Sequence, residues 1–136
     1  MKKLPSTYAA EKFYENLGKL FYAIAAADKV VREQEVKSLK KIVKTKWLGL
    51  EGSMDEFGTD EAYQMEVMLD WLEDNRPDAN EAFNEFKDYK MEHEQLFDQE
   101  VNKLIWKTAD AIASSFAGKN KSELIMLSKL KSILQT

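Results

Sequence analysis

Two carboxylates near the start of the chain have the types and spacing to do chemistry. Asp28 ends the apolar run Phe21-Tyr22-Ala23-Ile24-Ala25-Ala26-Ala27, and Glu35 follows seven residues later, at the opening of a charged segment. Held in one turn with a backbone carbonyl or an acid from residues 51 to 100, the pair offers oxygen ligands to a hard divalent cation such as Ca²⁺, Mg²⁺ or Mn²⁺. The loop is not an EF-hand. Counted from Asp28, Val30 and Arg32 fall on ligand positions, Glu33 on the required glycine and Leu39 on the bidentate acid. The same residues also have a structural use. Asp28 can accept backbone N–H bonds in a turn, and Glu35 in the first turn of a helix gains about 0.3–1 kcal/mol from the helix dipole.

Other chemistries find few residues to work with. The chain has no cysteine, which removes thiol catalysis, disulfides and thiolate metal sites together. His93 is the single histidine, which disfavours Zn²⁺ and Cu²⁺. It lies where an apolar stripe ends, with no cue pairing it to a nucleophile, and reads as a partly buried, hydrogen-bonded side chain. The five glycines are dispersed and no Gly-Lys-Ser/Thr occurs, so no phosphate-cradling loop is present. The expectation is a protein that is not an enzyme.

Charge is distributed unevenly along the 136 residues. The net charge is −4, but residues 1–50 carry 11 Lys/Arg against 5 Asp/Glu, residues 51–100 carry 3 against 17, and residues 101–136 carry 6 against 2. An acidic middle lies between two basic ends. Folding would let the basic helices neutralise part of the acidic faces, while what stays exposed would recruit a cation or a protein partner with a basic surface. The acidic balance argues against general nucleic-acid binding, which draws its affinity from phosphate neutralisation. No apolar run reaches membrane-span length, and Met1-Lys2-Lys3-Leu4-Pro5 leads into polar Ser6-Thr7 rather than an apolar signal region. These features lead us to expect a cytoplasmic protein.

The elements that must position these residues are all helical. Phe13, Leu17, Leu20, Ile24 and Ala27 make the stripe of a first helix beginning near Ser6 or Thr7, and Gly18 inside it predicts a close helix crossing. A second helix, about Glu33 to Leu48, turns Val36, Leu39, Val43 and Trp47 inward and its lysines outward. Gly49, Gly52 and Gly58 predict a loop over 49–58, whose Met54 and Phe57 fold back on the core or serve a binding loop. A third helix starts at Thr59 or Asp60 and has Met65, Met68 and Leu72 as its stripe, with Leu69 and Trp71 flanking. It ends at Asn75-Arg76-Pro77.

Asp78 and Glu81 have capping-box spacing and open a fourth helix with Ala79, Phe83, Phe86, Tyr89 and His93 along one side. A fifth, near Leu96 to Ala117, is expected to continue from it through a kink, with Phe97, Val101, Leu104, Thr108, Ala111 and Ser115 as its stripe, widened by Ile105 and Ile112. Asn120 and Glu123 open a sixth, with Leu124, Leu127, Leu130 and Leu134 inward. No segment alternates with period two. The predicted class is all-α: one domain over 1–136, a compact bundle of six to seven helices. A shift of 88 positions sets Leu17 on Ile105, Ile24 on Ile112, Ala25 on Ala113, Glu35 on Glu123, Leu39 on Leu127 and Ile42 on Leu130, which predicts two pseudo-repeated helix-turn-helix units.

The segment Ile24-Ala25-Ala26-Ala27-Asp28-Lys29-Val30-Val31-Arg32-Glu33-Gln34-Glu35, followed by Leu39, resembles the signature of the TerB-like domains, named for a tellurite-resistance protein. Lys29 stands where that signature usually has Gly, and Arg32-Glu33 where it often has Ser-Pro. The resemblance implies an all-helical fold with a weaker second copy of the motif and a bacterial stress-response setting. It also implies metal binding through acidic residues, here Asp28 and Glu35. The leading expectation is a non-enzymatic interaction or sensing module whose surface is the acidic middle with the loop at Met54 and Phe57. The alternative is a divalent-cation-binding protein using Asp28 and Glu35.

Overall fold

The apolar stripe of the first helix is buried because the other helices of the described residues close around it. A computed structural model of the protein describes residues 7–27, 33–47, 56–115 and 121–134. The helices are α1 (Thr7–Ala25), α2 (Glu33–Trp47), α3 (Glu56–Asn75), α4 (Ala79–Glu92), α5 (Gln99–Ser115) and α6 (Lys121–Leu134). A 3₁₀ turn, Glu94–Leu96, lies between α4 and α5. Among the described residues there is no strand, and the class is all-α.

α1 packs against all five other helices, most extensively α3 and α4. Phe13, Leu17, Leu20, Phe21 and Ile24 are fully buried, and one contiguous core draws on every helix. Gly18 sits at the predicted close crossing. A Cβ built on it would stand 2.7 Å from Met68 Cγ of α3, closer than packed carbon atoms come. α2 adds Val36, Leu39 and Val43 to the core, and α3 adds Met65, Leu69 and Leu72.

Four of the pairs brought together by the 88-residue shift share their burial, while Ile42 is half-buried against a fully buried Leu130. Leu17 and Ile105, Ile24 and Ile112, Ala25 and Ala113, and Leu39 and Leu127 are all buried. α2 packs on α5, and α6 packs on α1. That reciprocal packing is the pattern two duplicated hairpins would give.

Several boundaries differ from expectation. α3 begins at Glu56, so Phe57 and Gly58 belong to its first turn rather than to a loop, while Met54 lies outside the described residues. The first turn tolerates glycine because its N–H groups make no intrahelical bonds. α4 does not run on into α5. It is capped at its start by Asp78, whose Oδ2 accepts the N–H groups of Asn80 (3.0 Å) and Glu81 (3.2 Å). It ends at His93, and after the 3₁₀ turn Phe97 inserts into the core against Phe13, Phe86 and Tyr89. Asp98 then restarts the helix by accepting the Val101 N–H at 2.9 Å.

On α3 the buried stripe runs through Leu69 rather than Met68, and Trp71 faces solvent. On α6 Leu124 is exposed rather than inward. The cap expected at Asn120 lies outside the described residues. α3 closes at Arg76, whose φ of +46° is left-handed and whose N–H bonds to the Leu72 carbonyl at 2.7 Å. Pro77 denies this residue the right-handed helical region.

Candidate functional site

Of the carboxylate pair expected to hold a cation, Asp28 lies outside the described residues. Glu35 is half-buried in the first turn of α2. Among the described residues, no three acidic or histidine side chains gather where they could hold a metal ion. His93 is the hydrogen-bonded, partly buried residue its position predicts: its Nδ1 donates to the Tyr89 carbonyl at 3.0 Å, and its ring stacks on the Tyr89 ring.

The acidic middle is partly covered by the basic N-terminal helices. Lys19 of α1 pairs with Glu85 of α4 at 2.9 Å, Lys44 of α2 with Glu66 of α3 at 3.5 Å, and Lys40 with Asp70. Much of the acidic surface remains in solvent, including Asp74, Asp78, Glu81, Asp88 and Glu92.

Within that surface α3 presents an unusual face. Val67, Asp70, Trp71 and Asp74 recur at i, i+3, i+4 and i+7, so they share one side of the helix, and all four are exposed. Val67 is 45% and Trp71 51% exposed, which makes an apolar ridge with two carboxylates beside it. α3 buries Met65, Leu69 and Leu72 on its opposite side, so Val67 and Trp71 face outward, while Asp70 at the flank reaches Lys40 of α2.

A second feature lies on the α5–α6 hairpin. Asn102 Nδ2 donates to the carbonyls of Phe97 and Leu134, both at 3.3 Å, and so ties the end of α6 to the start of α5. Beside this tie a shallow groove of about 280 Å³, open to solvent, is lined by Asn102, Lys103, Trp106, Lys107, Lys131 and Leu134. The floor is mainly apolar and the rim carries three ammonium groups. None of the three has an ion pair among the described residues. Sequence reasoning found the positive balance of residues 101–136 but not this groove. Lys103, Trp106 and Lys107 at i, i+3 and i+4 were the available signal, and the antiparallel register that adds Lys131 and Leu134 was not.

The sequence reading also missed Lys90. It lies on the core side of α4, 2% exposed, with its Nζ 5.6 Å from the centroid of the Phe97 ring. Among the described residues, no helix is long and apolar enough to cross a membrane. No protein-family model, curated protein or solved structure matches the chain. The TerB-like resemblance therefore rests on residues 24–39 and on the weaker second copy of that motif.

Proposed function

We propose that the protein is a non-enzymatic interaction module, with the outer face of α3 as its docking surface and a protein of basic, partly apolar surface as its partner. The observation that carries this reading is the exposed Trp71, one turn from exposed Val67 and flanked by Asp70 and Asp74. A half-exposed indole costs solubility and contributes nothing to the core. Aromatic side chains of this kind are enriched at the centres of protein interfaces, where they supply much of the binding energy. Carboxylates beside it steer and orient a cationic partner. The bacterial stress-response setting belongs to the same proposal and is supported by the TerB-like segment.

The test is capture of partners by the immobilised protein at low and high salt, comparing wild type with Trp71→Ala and Asp74→Lys. The reading expects a partner that is retained at low salt, released at high salt and lost with both variants. A set of captured proteins unchanged by either variant would remove α3 as the surface.

A further inference from the structure

We propose that the α5–α6 groove is the basic partner surface for the α3 ridge, so that the protein associates head to tail with a second copy of itself. This inference rests on the reading of α3 as a docking surface and names the partner of that surface.

The two features are complementary in three respects. The ridge is convex and the groove concave. The ridge offers Trp71 and Val67, and the groove floor offers Trp106 and Leu134. Asp74 beside the ridge is exposed, in a segment carrying 17 acids against 3 bases, while Lys103, Lys107 and Lys131 line the groove in a segment carrying 6 bases against 2 acids. Asp70 is already engaged by Lys40 of its own chain, so exposed Asp74, one turn after Trp71, is the carboxylate of this face left to meet a lysine.

The features cannot meet within one molecule. Val67 and Trp71 lie on the side of α3 opposite its buried Met65, Leu69 and Leu72, and the groove lies on the outside of a hairpin packed against α1 and α2. A contact joining different patches of two copies is heterologous, so each molecule keeps one free ridge and one free groove and assembly proceeds into chains or rings. A groove of about 280 Å³ takes one large side chain and the edges of its helix. That is an interface at the small end of the specific range, with a dissociation constant on the order of 10–1,000 μM.

The decisive experiment is sedimentation velocity on the purified full chain up to about 1 mM, in about 50 mM and about 500 mM salt. Wild type is expected to associate with concentration at low salt and to dissociate at high salt. Two surface variants, Lys107→Glu/Lys131→Glu in the groove and Trp71→Ala/Asp74→Lys on the ridge, are each expected to be monomeric, with unchanged circular dichroism. Mixed in equal amounts, they retain one intact ridge and one intact groove between them and are expected to form a 1:1 dimer that goes no further.

A wild type that stays monomeric at 1 mM overturns the inference. So does self-association that survives the groove variant, or a groove that binds phosphatidylserine vesicles while the chain remains monomeric. If the chain is monomeric and yet a captured partner is lost on changing Trp71 and Asp74, only the second-copy inference falls. If neither self-association nor any captured partner depends on those residues, the reading of α3 falls with it.

Discussion

Lys90 is a long cationic side chain held almost wholly out of water, and among the described residues its ammonium has an aromatic ring rather than a salt-bridging carboxylate beside it. A cation–π contact returns about 0.5–2 kcal/mol, whereas burying a charge costs several. Lys90→Met keeps the volume of the stem and removes the charge, and is expected to raise the urea midpoint, by about 1 kcal/mol in stability. Lys90→Ala leaves a hole and is expected to lower stability by about 2–3 kcal/mol. A lower midpoint for Lys90→Met would show that Phe97 stabilises the ammonium more than burial penalises it. Tyr22 carries a pH dependence of its own. Burial raises the pKa of its hydroxyl above the usual 10.0, and Arg76 nearby pulls it partly back. Tyr89 moves the same way, through burial first and Glu15 second. The unfolded chain loses these protons first, so their contribution is intact below pH about 10 and is lost as pH rises through the folded-state value. Urea midpoints are expected to decline above pH about 10, and less steeply in Tyr22→Phe.

Gly18 and Asp98 act through whole helices. In an isolated helix Gly18→Ala would gain about 1 kcal/mol. Here the added Cβ meets Met68 Cγ at 2.7 Å and Met68 Cβ at 3.1 Å, and overpacking of this kind costs about 1–3 kcal/mol. The net expectation is a loss of about 1 kcal/mol by thermal or urea unfolding, with Gly18→Ala and Met68→Ala less than additive because the second substitution relieves the first. Asp98→Ala removes the cap that starts α5 and is expected to cost about 1 kcal/mol, while Asp98→Ser, which keeps an acceptor at that position, costs less than half as much. These two elements also mark how far the sequence could be read. The α1 stripe, the Gly18 crossing and the Asp78 cap were legible because periodicity and capping are local properties of a few neighbouring residues. The break between α4 and α5 was not. No Gly or Pro announces it, and it is held by Phe97 reaching across to Phe13 and Phe86, a contact that exists only once three helices have docked. Lys90 was missed for a related reason: it follows Phe83 and Phe86 at helical spacing, but only the packed neighbours decide that a lysine there stays inside. A stripe fixes which face of a helix turns inward, yet not how far along the helix a neighbour covers it. Leu124, at the uncovered beginning of α6, is 50% exposed while Leu127 and Leu130 are buried. The groove of the candidate site was illegible on the same grounds, since it needs α5 and α6 in register.

At the scale of the molecule the central position of α1 governs cooperativity. α3 and α4 hold the acidic charge, α5 and α6 hold basic charge and the groove, and α1 touches all four. Leu20 lies in that shared interior, fully buried. Leu20→Ala is expected to cost about 3–5 kcal/mol, a large part of the roughly 5–15 kcal/mol that stabilises a domain of this size. The loss should register everywhere at once, because no helix pair has a core separate from α1. Variants keeping only Trp71 or only Trp106 report from α3 and from α5. Their urea midpoints are expected to coincide and to fall by the same amount when Leu20→Ala is introduced. If Trp106 instead kept its midpoint while that of Trp71 fell, the α5–α6 hairpin would be a folding unit of its own. Its packing on α1 and α2 would then be a docking contact rather than part of one interior.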